Sequence, residues 1–492
     1  MHITVSEAAE AAGGRLIQGD GNSVLSHISL NSGEMRGDDL FVPIIGERVD
    51  AHRFIGKAFE NGAVCAFTAE HHSAEEAAAA GLGMALGSAS TGRREPALIA
   101  VSDTRKALQA LGRWYRENIV RIPFVGVTGS VGKTTTREMI ACALSSEKRV
   151  YATKGNSNSQ VGVPITVLET DETAEIGVAE LGMSEFGEMH RISEVARVNA
   201  AVMTNIGVSH INQLKTQENI LIEKLHILDG MPDGAALLLN GDDPYLSGLT
   251  EERIHAYGIA EGKHISLLFY GTGENADYRA EELRLEAGLP VFRLRKRDGS
   301  LIPMRLQAAG MHMVLNAAAA VAAAELFSVD PCSAAEALSH FSGVSGRGET
   351  YERGGVRFID DSYNAAPASM KAGLSVLCEL PAEGRRIAVL ADMLELGEQE
   401  GAYHEEVGSF IREKGLSIDL LLLYGPLSQH IAEGAGGAVP EIQHFSALSA
   451  LTETLLSVLR PGDIVLFKGS NGMGLRKTVQ AVLEAFGKSE AC

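Results

Sequence analysis

Pro123-Phe-Val-Gly-Val-Thr128-Gly-Ser-Val-Gly-Lys133-Thr-Thr-Thr136 passes from an apolar run through a glycine-rich turn into a helical pattern. Strand, turn and helix in that order make a phosphate-binding unit, in which backbone N–H groups and a helix N-terminus face the anion. Thr128, Gly129, Ser130, Val131, Gly132, Lys133, Thr134 and Thr135 are the candidate nucleotide-binding residues. Gly129 and Gly132 let the backbone approach phosphate oxygens. Lys133 is suited to the β- and γ-phosphates, and the Thr134 hydroxyl to Mg²⁺. The site of an earlier glycine in the longer form of this loop is Val127, so the loop is the short GxxGKT type.

Working outward, a Mg·ATP site needs an acid at the end of a neighbouring strand. Glu180, after the apolar run 176–179, stands at such a place, and His210 follows the run 200–203. Imidazole is an unusual partner for Mg²⁺, which prefers oxygen. The guanine-reading NKxD pattern is absent, which favours ATP. His312 and Asn316, one helical turn apart, share a face and suit either an adenine or a polar domain seam.

Three textures divide the chain. Residues 1–103 hold short strand-like runs (39–44, 63–68, 96–101) and an Ala/Gly/Ser-rich stretch, Ser73 to Thr91, read as helix followed by surface loop. Asp103 caps a helix over 104–117 with Leu108, Leu111 and Tyr115 on one face. From there to 341, strand and helix alternate as in a mostly parallel sheet. Residues 342–492 repeat the alternation, with 386–390, 419–424 and 463–467 as buried parallel strands. The expected class is α/β.

Of 492 residues, 45% are hydrophobic and 22% charged, as in ordinary globular proteins, and the length calls for several domains. A net charge of -20 argues against nucleic acid as a partner. Five scattered cysteines without a CxxC pair fit neither a disulfide framework nor a zinc cluster. The N-terminal MHITVSEAAEAAGG lacks the features of a signal peptide. The most apolar helical segment, Met311 to Phe327, is too short and too polar to span a bilayer. A cytoplasmic monomer is expected.

GVTGSVGKTTT, AELGMSEFGEM, TNIGVSHI, GMHMVLNAAAA, SGRGE, DDSYNAAPASM and ADMLELGEQEGAYH occur in the order found in Mur ligases, and the chain resembles that family. The resemblance implies a UDP-sugar-binding domain (1–103), a central P-loop ATPase (104–341) and a C-terminal Rossmann-like domain (342–492). It implies ATP and Mg²⁺, and cytoplasmic peptidoglycan precursor synthesis. GNSNSQVGVPITVL, DDSYNAAPASM and ADMLELG are nearest the branch that joins D-Ala-D-Ala to a UDP-N-acetylmuramoyl-tripeptide through an acyl phosphate.

Carried over by the same resemblance, Lys133 and Thr134 serve the phosphates, and Thr134, Glu180 and His210 the magnesium. Lys224 matches a lysine that several relatives carbamylate; unmodified, it would pair with a phosphate or carboxylate. His312 and Asn316 match the adenine side, Arg347 an arginine brought to the phosphates on closure, and Asp361 an acid near the ribose. Asn156, Asn158, Asn364, Asp392, His404 and Lys468 fall in blocks that contact substrate. In the first region an acid-serine-arginine trio is replaced by Asn31-Ser32-Gly33, while Asp50 and His52 of the next block are kept. Either Arg36 or Arg48 substitutes, or the substrate of this branch differs. The rival readings are a ligase of the same kind with another acceptor and a non-catalytic nucleotide-binding homologue. No DNPR-like block of the ligase adding the third residue is present.

Overall fold

The structure, a computed structural model, describes residues 1–46, 48–82 and 95–487. Long apolar runs become central strands buried on both faces, as parallel sheets require. The runs at Phe124–Thr128, Ile176–Glu180 and Ile464–Lys468 are buried at every position.

The N-terminal sheet has five strands, in the order Arg15–Gln18, Ala97–Ala100, Cys65–Thr68, Asp39–Phe41 and His27–Ser29. Only Arg15–Gln18 runs antiparallel to its neighbour. Ser73 caps the helix Ala74–Ala79 by accepting the Glu76 N–H. The surface loop expected toward Thr91 lies, from residue 83, outside the described residues. Asp103 caps Thr104–Asn118 through the N–H groups of Arg105 and Lys106. That helix buries Leu108, Leu111 and Tyr115 in a core continuous from Ile28 and Phe67 of the first sheet to Val195 and Leu237 of the central unit. No strand crosses residue 103 or 341, yet the first two units share this apolar layer.

The central sheet has nine strands: Leu301–Arg305, Leu289–Arg295, Tyr278–Glu286, Ser266–Gly271, Ala236–Asn240, Ala200–Met203, Phe124–Thr128, Ile176–Glu180 and Val150–Ala152. From Tyr278–Glu286 to Val150–Ala152 all neighbours are parallel. Leu289–Arg295 and Leu301–Arg305 add an antiparallel extension that the sequence reading does not contain. Their buried residues alternate with accessible ones because only one face is covered. The chain leaves Phe124–Thr128 for an outer strand, returns beside it at Ile176–Glu180, then crosses to Ala200–Met203. The strand order therefore reverses at the phosphate loop, where α/β sheets open a crevice. Behind it, Lys133–Leu144 packs on His312–Leu326, whose fully buried Ala317–Ala320 permit close approach. Among the described residues no helix is long and apolar enough to cross a membrane.

The last sheet runs Glu349–Arg353, Val356–Asp361, Ile464–Lys468, Arg386–Ala391, Leu420–Tyr424 and Glu441–Phe445, parallel except at the first pair. Separate apolar clusters cover its two faces. Asp361 and Lys468 are register partners at adjacent strand ends. This register aims both at the central unit.

Candidate functional site

A cleft of about 500 Å³ lies between the carboxyl ends of the central and C-terminal sheets. The phosphate loop forms one wall. Gly129 has φ 144°, and a Cβ there would overlap the Thr204 hydroxyl, so this position admits only glycine. The turn after Ala200–Met203 holds the loop from below. The Ser130 N–H donates to the Asn205 carbonyl (3.0 Å) and the Val131 N–H to Asn205 Oδ1 (2.9 Å). The Val131 carbonyl accepts from Thr204 Oγ1 (2.6 Å) and Asn205 Nδ2 (2.8 Å). Lys133 Nζ folds over the loop, donating to the carbonyls of Gly129 (2.9 Å) and Ser130 (3.4 Å). Desolvation lowers its pKa, Glu180 opposing and Arg347 adding to the effect.

Glu180 is buried and heavily bonded. Its Oε2 accepts from Thr134 Oγ1 (2.9 Å) and Arg137 Nη1 (3.2 Å), and its Oε1 from Asn158 Nδ2 (2.7 Å). The Thr134 hydroxyl and the Glu180 carboxylate thus offer two adjacent hard oxygen donors, a set that fits Mg²⁺. His210 lines the same cleft with left-handed backbone (φ 63°). Its Nδ1 comes within 3.1 Å of Glu395 Oε2 from the C-terminal unit but is not aligned for a hydrogen bond. Burial first, then the Lys224 and Lys133 ammonium groups, push its imidazole down to about 4. At neutral pH it is uncharged and able to donate a lone pair.

Several expected residues meet across this cleft: Asn156, Asn158, His312, Asn316, Arg347, Asp361, Asn364 and Lys468 all line it. Asn316 Oδ1 accepts from Thr136 Oγ1 (3.1 Å), tying the His312 helix to the loop helix. His312 remains open to the cleft, while the surrounding protein and then Lys468 lower its pKa. The Arg347 guanidinium stacks on Tyr363, 4.3 Å from the ring centroid. Lys468 is buried and donates to Asp361 Oδ2 (2.5 Å) and the Asn364 carbonyl (3.2 Å). Burial pushes the Asp361 carboxyl up, with the Lys468 ammonium pulling the other way.

Other expected residues do not line the cleft. Lys224 is buried beneath the loop and donates to the Gly129 carbonyl (3.0 Å), rather than to a carboxylate. Desolvation first, and Lys133 next, hold its pKa well below the usual lysine value. Asp392 and His404, expected in a substrate-contacting block, lie outside the cleft lining, and their polar atoms are engaged within the chain. Asp392 Oδ1 accepts from the N–H groups of Ser428 (2.7 Å) and Leu427 (3.2 Å). His404 is fully buried, its Nε2 accepting the Met393 N–H (2.9 Å) and its Nδ1 bonding the Glu400 carbonyl (2.6 Å).

In the N-terminal unit, Asn31 Oδ1 accepts the Gly33 N–H (3.0 Å), and the Ser32 carbonyl accepts from Asn61 Nδ2 (2.7 Å). Asp50 bonds His52 Nδ1 (2.7 Å), whose Nε2 accepts the Ala69 N–H (3.1 Å). The Asn31 and Asp50 bonds shape local turns, those of Ser32 and His52 tie separate segments together, and none of the four residues lines the cleft. Arg36 contacts His27, and Arg48 is exposed.

Arg137 and Asn205 are missed by sequence reasoning. Arg137, one turn beyond Lys133, is buried and also donates to the Gly155 carbonyl (2.9 Å). Its helical spacing from Lys133 is the only signal; Asn205 carries none beyond standing at a strand end.

The family profile described as "Mur ligase middle domain" matches residues 127–324, and "Mur ligase, glutamate ligase domain" matches 346–471. The chain is 34% identical over 488 residues to UDP-N-acetylmuramoyl-tripeptide–D-alanyl-D-alanine ligase of Bacillus subtilis (strain 168), covering 98% of both chains. It is similar to the crystal structure of MurF from Acinetobacter baumannii, with TM-score 0.84, 27% identity and coverage of 98% of this chain and 99% of that one. MurF ligase from Thermotoga maritima in complex with ADP is similar at TM-score 0.76 and 26% identity, covering 94% and 98%.

Proposed function

From the premise that this chain belongs to the Mur ligase family, we propose that it joins D-Ala-D-Ala to UDP-N-acetylmuramoyl-tripeptide with cleavage of ATP to ADP and phosphate. It acts as a cytoplasmic monomer in peptidoglycan precursor synthesis. One observation supports this most: a phosphate loop from the central sheet and the set Arg347, Asp361, Asn364 and Lys468 from the last sheet face one cleft.

A carboxylate is a poor acyl donor at neutral pH. The tripeptide's terminal carboxylate oxygen attacks the γ-phosphorus, ADP leaves, and an acyl phosphate results. The amine of D-Ala-D-Ala then attacks the acyl carbon, the amide bond forms, phosphate departs and the amine loses its proton. Lys133 and the loop N–H groups hold the phosphate chain, with Arg347 approaching from the other unit to balance charge on the moving phosphoryl group. Thr134 and Glu180, with His210 beside them, would hold Mg²⁺, which would supply charge neutralisation at the phosphates. His312 and Asn316 bound the adenine side, and Asp361 the ribose. Lys468, fixed by Asp361, presents positive charge to an anionic group of substrate, and Asn364 meets the dipeptide. Asn156 and Asn158 line the tripeptide side of the Glu180 corner. Lys224 supports the loop through Gly129. Residues 1–103 hold the UDP end, with Arg36 or Arg48 supplying its positive charge.

Phosphate release from ATP should require the UDP-linked tripeptide and D-Ala-D-Ala together. No release with both present would reject the reading, and release only with a different amino acid or acceptor would select a sister activity.

A further inference from the structure

Outside the cleft, His190, His226 and Asp229 bring their donor atoms within 4.8 Å of one another. Asp229 Oδ2 lies 2.6 Å from His190 Nδ1 and 2.8 Å from His226 Nδ1. One carboxylate oxygen thus bridges two imidazoles whose rings stand edge to face, 6.2 Å between centroids. We propose that His190, His226 and Asp229 form a binding site for a divalent metal ion of borderline softness, such as Zn²⁺, separate from the magnesium of the ATP cleft.

The scaffold around the three donors is rigid. His190 belongs to the helix Glu188–Ala196, and the other two to the short helical turn His226–Gly230. The turn approaches the helix closely because residue 230 is glycine; a Cβ there would overlap the Ser193 carbonyl oxygen. Lys263 Nζ pins the turn by donating to the carbonyls of Leu228 (3.2 Å), Asp229 (2.8 Å) and Met231 (2.9 Å). Glu223, just before the turn, accepts the N–H groups of Gly187 (2.9 Å) and Met189 (2.9 Å) and so fixes the start of the helix.

Two imidazole nitrogens and one carboxylate oxygen suit Zn²⁺, Co²⁺ or Ni²⁺, whereas Mg²⁺ prefers oxygen alone. Metal–nitrogen bonds of about 2.0–2.1 Å need a small swing of the carboxylate and leave each imidazole protonated at Nε2 only, so that uptake at His226, whose pKa the Asp229 hydrogen bond raises, competes with a proton. His190 is the open side of the site, with 55% of its side chain accessible, so solvent can provide the fourth ligand. Bound metal would staple the helix beginning at Glu188, a cleft residue, to the turn that follows the Lys224 helix.

The test uses the full chain, freed of metal with a chelator and kept in excess Mg²⁺ and ADP so that the cleft is saturated. Zn²⁺ calorimetry should give one equivalent bound, and Co²⁺ should produce the visible bands of a four-coordinate nitrogen–oxygen site. His190→Ala, on the accessible side, and Asp229→Asn should each weaken binding by about tenfold or more. Circular dichroism should stay unchanged. No zinc uptake in the presence of Mg²⁺·ADP, or unchanged affinity in folded His190→Ala and Asp229→Asn, would overturn the proposal.

Discussion

The phosphate loop at 128–135 and the block at 392–404 look alike as sequence: each follows a buried strand and is rich in polar side chains. In the fold they separate. The loop's bonds are made largely by its neighbours, Thr204, Asn205 and Gly207, which hold it with its surface toward the cleft. In the second block Asp392 and His404 turn inward and satisfy the backbone of Ser428, Leu427, Met393 and Glu400. Both blocks bond their own backbone in part, since Lys133 Nζ donates to the Gly129 and Ser130 carbonyls, but Lys133 and Thr134 still line the cleft whereas Asp392 and His404 do not.

The contrast breaks most readily at Lys133. Lys133→Ala should cut ATP-dependent turnover by about 10³-fold with circular dichroism unchanged, a loss at the upper end for one electrostatic donor. Activity within tenfold of the parent would place the loop with the second block. Arg137 pairs with Glu180 and Glu138, so Glu180→Ala removes one of the two carboxylates from its buried guanidinium and should cost up to about 3 kcal/mol in denaturant unfolding. A negligible loss would mean that Glu138 and Gly155 suffice for Arg137. On the other side, Asp392→Ala leaves buried N–H groups unpaired and should cost about 2 kcal/mol. The KM for D-Ala-D-Ala should stay within about threefold; a large rise in that KM at full stability would return Asp392 to the site.

The smallest effect is one of pH. Burial holds the His404 imidazole below its ordinary pKa, so as pH falls the unfolded chain takes up this proton first. The stability from a neutral His404 is complete above about pH 6.5 and declines below it toward the lower folded pKa, by at most about 1.4 kcal/mol per pH unit. His404→Gln should flatten the part of the stability profile that falls away just below about pH 6.5. An unchanged slope would show that His404 is not held neutral.

Fully buried runs such as Phe124–Thr128 and Ile464–Lys468 announced the parallel sheets, because both faces are covered. The antiparallel extension at Leu289–Arg305 escaped notice because its short strands alternate buried and accessible residues within a long helix-and-strand region. At the site, Lys133, Thr134 and Glu180 were legible from spacing, since loop and strand end are local features. Arg137 was not, because its carboxylate partner is 43 residues away. Asn31 and Asp50 each close a turn of their own, a local role that their place in a substrate-like block does not reveal. Sequence shows which polar groups exist; only the fold shows which remain free to meet a ligand.

Activation of the tripeptide carboxylate in the cleft above Lys133 is the central step of the proposed reaction. Running the reaction with heavy oxygen in that carboxylate, and weighing the phosphate released, tests it directly. Transfer through an acyl phosphate puts one labelled oxygen into each phosphate as the D-Ala-D-Ala amide forms. Amide formation with wholly unlabelled phosphate would contradict the account.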